Sequence, residues 1–378
     1  MKKNIFILAG EASGDLHASI LVRGIRELDG GLSFSGVGGP KMSDEGVSLL
    51  YDCTQFSSMG IVEPLLKLRF YRNALKNILN HISEKNIDTV ILVDYPGFNL
   101  HLAGRIKKKL KVKIIYYVSP QIWAWNYSRI KKIKKYIDAM IVFYPFEHEM
   151  YSREGVRSFF LGNPLVDIVA DNLNKADELN IKIEKPCIAL LPGSRVSELN
   201  NHLTILLRAA AMIKQKYNGT ILLPVLKGDA SRIVGQELAK PEFKSLNVIP
   251  VIGNTYRAIE KADVVITSSG TATLETAILE KPMIVIYKVG ILVEALAKII
   301  FKIDIISLVN IIAGKRICPE LTQRNFNPER IYYEVCRIID NKKIYNDMVD
   351  DIIAVKKMLG GGGAVKRISD KMLLLINE

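Results

Sequence analysis

Cysteine is scarce. The chain of 378 residues holds four, Cys53, Cys187, Cys318 and Cys336, at wide spacings that match neither a CxxC metal site nor a compact disulfide framework, so reduced thiols without a chemical role are expected. Long apolar runs are also lacking. The greasiest region, Met283 to Ala313, is broken by Lys288, Glu294, Lys298, Lys302 and Asp304, too often for a membrane-spanning helix. The start, MKKNIFILAGEASGD, resembles a short secretion signal only until Glu11 and Asp15, which stand where a cleavage region is small and neutral; a first strand fits better. HExxH, a DxD pair and a P-loop lysine are missing. A metal-bridged diphosphate and triphosphate hydrolysis are therefore disfavoured, and neither metal nor cofactor is expected.

Acidic residues are absent from one whole stretch. Between His101 and Lys135 stand Arg105, Lys107, Lys108, Lys109, Lys111, Lys113, Arg129, Lys131, Lys132, Lys134 and Lys135 with no Asp or Glu, which concentrates much of the formal charge of +13 there. Such a cationic stretch attracts an anionic partner. Both tryptophans, Trp123 and Trp125, fall inside it. Aromatic rings among cations suit stacking on nucleic acid, and equally a phospholipid surface with rings at headgroup level and lysines on phosphates. A second amphipathic candidate is Leu65 to Leu79, LLKLRFYRNALKNIL, where Leu66 and Phe70 belong to an apolar helical stripe between cations. The competing reading there is a helix with one face on the core.

What is present is globular: hydrophobic residues make up 49% and charged residues 24%, with no disordered tract, and the length favours two domains. Short β-branched runs alternate with helical patterns, the signature of βαβ units. Strands are expected at Asn4–Ala9, Thr89–Val93, Lys113–Val118 and Ala139–Phe143, then at Cys187–Leu191, Thr220–Pro224, Val248–Val251, Val264–Thr267 and Met283–Tyr287. The polar stretch Asp171 to Lys185 separates the two sets. The chain thus reads as α/β, with two doubly wound Rossmann-like domains facing across a cleft: 1–170, 171–345, and C-terminal helices in 346–378 that pack back on an N-terminal domain. Gly360 to Gly363 separates the last two helices. In such folds ligands bind beyond the carboxyl ends of the strands.

Four loops lie there. AGEASGDLH places Glu11, Ser13, Asp15 and His17 at a strand-to-helix turn, suited to a sugar or hydroxyl more than to a bare phosphate. Asp94 ends the apolar strand ILVD, where partial desolvation would raise its pKa toward that of a general base, with Asn99 five positions on to orient a sugar hydroxyl; a turn-forming Asp-x-Pro-Gly is the plainer alternative. LPGSR sets Gly193 and Ser194 beside the Arg195 guanidinium, a diphosphate grip, with Glu198 only approximately at capping spacing. TSSGTATLE offers Ser269, Gly270 and Thr271 to phosphate oxygens and Glu275 to a ribose diol. The last two together describe a nucleoside-diphosphate pocket.

The segments GEASGD, SSMGIVEPL, YVSPQIWAW, GNPLVD, LPGSR, SGTATLE and NIIAG followed by PELTQ, in this order, resemble the lipid-A-disaccharide synthase family from Ala9 to Gln323. The resemblance implies a GT-B inverting glycosyltransferase that needs no metal. It would join UDP-2,3-diacylglucosamine to 2,3-diacylglucosamine 1-phosphate (lipid X), giving the β-1,6-linked disaccharide 1-phosphate and UDP, at the cytoplasmic face of a Gram-negative inner membrane. On the same basis Asp94 is the candidate base for the acceptor 6-hydroxyl, with His17 and Glu11 nearby. Arg195, Ser194, Glu275 and Thr271 would hold UDP, and Asn310 and Gln323 would face the donor. Trp123, Trp125, Leu66 and Phe70 would meet acyl chains and the anionic membrane, and a homodimer is compatible. Two departures stand out: Gly97 where many relatives carry a second acid, and Asn163 where they often carry histidine. Another UDP-sugar transferase or an epimerase of the same architecture remains the nearest alternative. An RNA-binding protein is remote, because no RNA-recognition motif is present.

Overall fold

The computed structural model describes residues 3–56, 68–290 and 305–378, except the side chains of Leu68 and Trp125. The chain divides into two compact units, Met1–Pro164 with Gly361–Glu378, and Leu165–Gly360. The division falls at Pro164 rather than at 170, and the second unit runs on to Gly360.

In the first unit the described strands are β1 (Asn4–Ala9), β2 (Ser33–Gly38), β3 (Ser48–Asp52), β4 (Thr89–Val93), β5 (Lys113–Tyr117), β6 (Ala139–Val142) and β7 (Ser158–Phe160). They form one parallel sheet in the order β3-β2-β1-β4-β5-β6-β7, with Ile7 paired to Gly36 on one side and to Ile91 on the other. The unbroken apolar runs follow from this placement, because both faces of a doubly wound sheet are covered. Phe6, Leu8, Val90, Leu92 and Tyr116 enter one buried cluster, while Ile5, Ile7, Ile91, Val93 and Tyr117 enter the other. β2 and β3 are absent from the sequence-derived strands because SFSGVG carries one β-branched residue. Its Gly36 is required by close approach: a Cβ there would lie 1.9 Å from the Ile7 carbonyl oxygen.

The final helix, Ala364–Asn377, covers the second cluster with Ile368, Met372, Leu375 and Ile376. The helix before it, Lys342–Met358, belongs to the second unit, so only the last helix of the 346–378 segment returns to the first. It packs on the helix Ala12–Leu28 at Gly24, where a Cβ would meet Ser369 Oγ at 2.2 Å. Gly24→Val is accordingly expected to overpack this contact and destabilise the fold by about 1–3 kcal/mol, read as a lower urea midpoint.

The second unit repeats the plan with β8 (Ile188–Leu191), β9 (Ile221–Val225), β10 (Val248–Ile252), β11 (Val264–Ser268), β12 (Met283–Tyr287) and β13 (Glu320–Thr322), all parallel in the order β10-β9-β8-β11-β12-β13. Both sheets therefore reverse direction beside their first strand, between β1 and β4 and between β8 and β11. These are the switch points where doubly wound folds bind ligands.

Candidate active site

At the switch point of the first unit, Asp94 follows β4 with φ +44° and Tyr95 follows it with φ +47°. Two consecutive left-handed residues other than glycine cost roughly 1–2 kcal/mol each and persist only where the surroundings over-determine them. Here the surroundings do. The Asp94 amide donates to the Tyr117 carbonyl at 3.1 Å, and its own carbonyl accepts from the Tyr116 hydroxyl at 2.5 Å and from Asn99 Nδ2 at 2.7 Å. Gly10, at the end of β1, leaves room for the Tyr95 ring, which a Cβ would meet at 2.5 Å. The Asp94 carboxyl lines a cavity of about 260 Å³ with Val118, Gln121, Phe143 and Tyr144. Burial, and then the negative charge of Glu11, push its pKa up to about 6, against a hydrogen bond from the Tyr95 amide. A carboxylate so placed ionises near neutrality and is a stronger base than an exposed one.

His17 stands edge-on to Phe143, with ring centroids 5.0 Å apart, so it backs the wall of the same cavity. Its Nδ1 is buried without a hydrogen-bond partner, and burial pulls its pKa down to about 4. The ring is therefore neutral at pH 7 and a weak base there. Glu11 and Ser13 are exposed at the start of the helix Ala12–Leu28.

Two residues of this region do other work than the sequence suggests. Asp15 is not available to a sugar. It is 3% exposed, and its carboxylate accepts from the amides of Gly39, Lys41 and Met42 at 2.7, 3.1 and 3.0 Å, capping the short helix Pro40–Asp44. Asn99 is fully buried and spends its amide on the Val93 and Asp94 carbonyls, so it positions the Asp94 backbone instead of orienting a hydroxyl.

The residues expected to meet acyl chains divide similarly. Phe70 packs edge-on into Tyr51, Phe56 and Tyr71 at 6.0, 5.3 and 5.7 Å and belongs to the core margin, a correction to its reading as a membrane contact. Its helix, described from Leu68 to Glu84, buries Ala74, Ile78 and Ile82 and turns Arg69, Arg72 and Lys76 to solvent, the one-face-on-core arrangement. Trp123 is half-buried, with its indole N–H directed inward. Leu66, the segment SSMGIVEPL and the Trp125 side chain lie outside the described residues. The cationic stretch forms a surface: Arg105, Lys108, Lys109, Lys111, Lys131, Lys132, Lys134 and Lys135 are exposed on or beside the packed helices Pro96–Lys109 and Ile130–Tyr136.

In the second unit a cavity of about 670 Å³ opens at the ends of β8 and β11 and is lined by Gly193, Ser194, Arg195, Ser269, Gly270, Thr271 and Glu275. Gly193 has φ +118° and Gly270 φ +151°, conformations that a side chain would strain, which explains a glycine in each loop. Glu198 is a real cap. Its Oε2 accepts from the Ser194 and Arg195 amides at 3.0 and 3.3 Å, so those amides are occupied. What LPGSR presents outward is the Ser194 hydroxyl and the exposed Arg195 guanidinium, 3.4 Å from Glu198 Oε1.

Ser269 lines the cavity, yet its amide donates to Ile286 at 2.9 Å and its hydroxyl to Ile306 at 3.0 Å. It has no hydrogen left for a phosphate oxygen, which corrects its reading as a phosphate donor. The helix Thr271–Ile278 begins at the cavity, where its first amides lack intrahelical acceptors. Glu275 is held by the Tyr256 hydroxyl at 3.0 Å, and burial raises its pKa.

Asn310 is also corrected. It is fully buried, donating to Cys318 O and Glu320 and accepting from the Ile317 and Cys318 amides, which ties the helix Leu308–Ala313 to β13. Gln323, with φ +50°, follows β13 and is not part of the cavity lining.

Residues that carry no motif also line these cavities. Lys175 and Tyr256 face the second, and Glu147 faces the first. Tyr256 sits on a helix beyond β10 and Lys175 at the end of the helix Leu165–Lys175; spacing alone marks neither. Glu147 follows β6 in the run YPFE, an acid just beyond an apolar strand, the same signal that marks Asp94.

Comparison with known proteins adds to this geometry. A family model described as lipid-A-disaccharide synthetase matches residues 5–360. The lipid-A-disaccharide synthase of Trichlorobacter lovleyi is 36% identical over 381 residues, covering 100% of this chain and 98% of that protein. Lipid-A-disaccharide synthase 1 of Legionella pneumophila strain Lens is 37% identical, covering 99% and 98%. Among solved structures, the calicheamicin glycosyltransferase CalG4 superposes with a TM-score of 0.65 at 14% identity over 100% of this chain and 99% of that one. The UDP-GlcNAc 2-epimerase of Neisseria meningitidis bound to UDP-GlcNAc gives 0.62 at 14% identity over 99% and 100%. At such identities the structures speak for the fold, the GT-B arrangement of two parallel sheets with helices.

Proposed function

The chain belongs to the lipid-A-disaccharide synthase family, and on that premise we propose that it transfers 2,3-diacylglucosamine from UDP to lipid X by a single displacement in which Asp94 is the base. It is a glycosyltransferase of lipid A disaccharide synthesis. The observation that carries the mechanism is Asp94 itself: a carboxylate at the switch point, held in a strained backbone, with burial setting its pKa to about 6. His17 is a poor rival as base, because burial keeps its pKa at about 4.

Asp94 accepts the proton of the acceptor 6-hydroxyl as that oxygen attacks the anomeric carbon. The bond to UDP breaks on the opposite face, which inverts the configuration. Negative charge grows on the departing diphosphate. Arg195 meets it with a guanidinium, Thr271 with the positive end of a helix, and Lys175 adds a further cation at the cavity. Glu275, fixed by Tyr256, accepts from the ribose hydroxyls. The test is direct: purified full-length chain, UDP-diacylglucosamine and lipid X, with UDP and a disaccharide 1-phosphate as expected products. UDP-sugar epimerisation without a disaccharide would reject the reading.

The exposed cations of the helices Pro96–Lys109 and Ile130–Tyr136 support docking on an anionic membrane at the cytoplasmic face, where both acylated substrates reside. Each such lysine contributes about 1 kcal/mol near an anionic surface, so replacing Lys131, Lys132 and Lys135 with Ala is expected to weaken binding to phosphatidylglycerol vesicles roughly 100-fold at low salt. Unchanged sedimentation with vesicles would remove this surface from the account.

A further inference from the structure

We infer that Glu147 is a positioning residue of the acceptor cavity, acting through its hold on the Trp123 indole. The inference rests on the reading of Asp94 as the base.

Glu147 lies in the first turn of the helix Pro145–Arg153, immediately past β6, and is 1% exposed. Its Oε1 accepts the Trp123 indole N–H at 3.1 Å. Trp123 belongs to the short helix Ile122–Trp125 that follows β5, so this bond, together with that of the Tyr151 hydroxyl to the Pro120 carbonyl at 3.0 Å, links the segments leaving two neighbouring strands. The Trp123 ring stands edge-on to Phe146 at 5.2 Å, and Phe146 stacks on Tyr144 at 5.6 Å. Tyr144 and Glu147 line the cavity that also contains Asp94, Val118 and Gln121. The cavity wall is thus drawn from the ends of β4, β5 and β6, and the indole–carboxyl bond is the one among the links between the last two that reaches the Trp123 ring.

Two further features mark the wall as built for more than stability. Val118 takes φ +63°, a conformation strongly disfavoured for a β-branched residue, at the same position along β5 that Asp94 occupies along β4. And burying a carboxyl costs several kcal/mol that its hydrogen bonds with Ser119, Trp123 and the Phe143 and Tyr144 amides repay only in part, whereas an apolar residue would close the gap between Trp123 and Tyr144 at no such cost. Burial pushes the Glu147 carboxyl up to about 7. Nothing in the nucleotide cavity of the second unit involves these residues. Loss of the bond should therefore register on the acceptor side alone.

The experiment uses the full-length chain as Trp123→Phe, Glu147→Ala, Glu147→Gln and the Trp123→Phe/Glu147→Ala double variant, with lipid X in detergent micelles as acceptor and UDP affinity by calorimetry. W123F keeps most of the ring and removes the N–H; E147Q keeps a carbonyl to accept it. W123F and E147A are expected to lower kcat/KM for lipid X by at least about tenfold, the cost of one buried hydrogen bond, with UDP affinity within about twofold of the parent. E147Q should stay within about threefold, and the double variant should be no worse than the poorer single one. A parent-like kcat/KM in both W123F and E147A overturns the inference, and so does a proportional loss of UDP affinity. Additive losses in the double variant overturn it too, because the two residues would then act separately. If E147A fails to fold, W123F and E147Q decide the matter. Failure of the Asp94 reading is seen elsewhere: D94N would then keep its turnover, whatever the acceptor KM of W123F.

Discussion

Asp94→Asn is expected to lower kcat by about three orders of magnitude, within the range for loss of a general base. UDP affinity should stay within about twofold of the parent, since the cavity proposed for UDP is lined entirely by residues of the second unit. Asparagine keeps the size and the hydrogen bonds of the side chain and removes only its basicity. The same change should make the protein more stable at neutral pH. Asp94 has a folded-state pKa raised to about 6 by burial, so between about 4 and about 6 the folded chain holds a proton that the unfolded chain has released. Stability therefore falls as pH rises through that window, and above it the ionised carboxylate costs the fold about 3 kcal/mol. D94N should recover most of that as a higher melting temperature at pH 7.5 and show no gain at pH 4. A gain in stability with a loss of turnover is the pattern of a strained functional residue. A merely structural turn would give the reverse.

Glu275→Ala is expected to weaken UDP binding by roughly 10–100-fold, the loss of hydrogen bonds to a charged acceptor, while turnover at saturating donor falls far less. The carboxylate sits on the first turns of the helix Thr271–Ile278, and the Tyr256 hydroxyl fixes one of its oxygens. Removing it also strands the Tyr256 hydroxyl, so Tyr256→Phe serves as a control and should cost only a few-fold. Isothermal titration with UDP distinguishes the two. If Glu275→Ala leaves the affinity for UDP intact but abolishes turnover, the ribose assignment is wrong and Glu275 acts on the sugar.

Much of this was legible in the chain itself, for a physical reason. Strands such as ILVD and VVITS are buried on both faces, so they read as unbroken apolar runs, and the first polar residue past each one marks the carboxyl edge of a sheet. That places Asp94 and the LPGSR and SSGT loops without any structure. What spacing could not convey is the direction in which a polar side chain turns. Asp15 and Asn310 stand in motifs of the right composition, yet each meets several backbone amides that sequence proximity does not reveal, 24 to 27 residues away for Asp15. Glu198 shows the same limit in the opposite sense: its distance from Ser194 seemed one residue too long for a cap, but the cap position belongs to Arg195, three residues before it. Glu147 was within reach, since YPFE beyond β6 obeys the rule that selects Asp94. Tyr256 was not, because a tyrosine on the helix Thr255–Lys261 gains its meaning only from the carboxylate it touches.

The most direct test of Asp94 as the base is the pH dependence of kcat/KM for lipid X. With Asp94 ionising at about 6 and His17 already neutral above about 4, the parent should gain activity about tenfold per pH unit below 6 and level off above it. The residual activity of D94N should lack that limb. A parent profile flat between pH 5 and 7, or a limb of the same midpoint surviving in D94N, would contradict it.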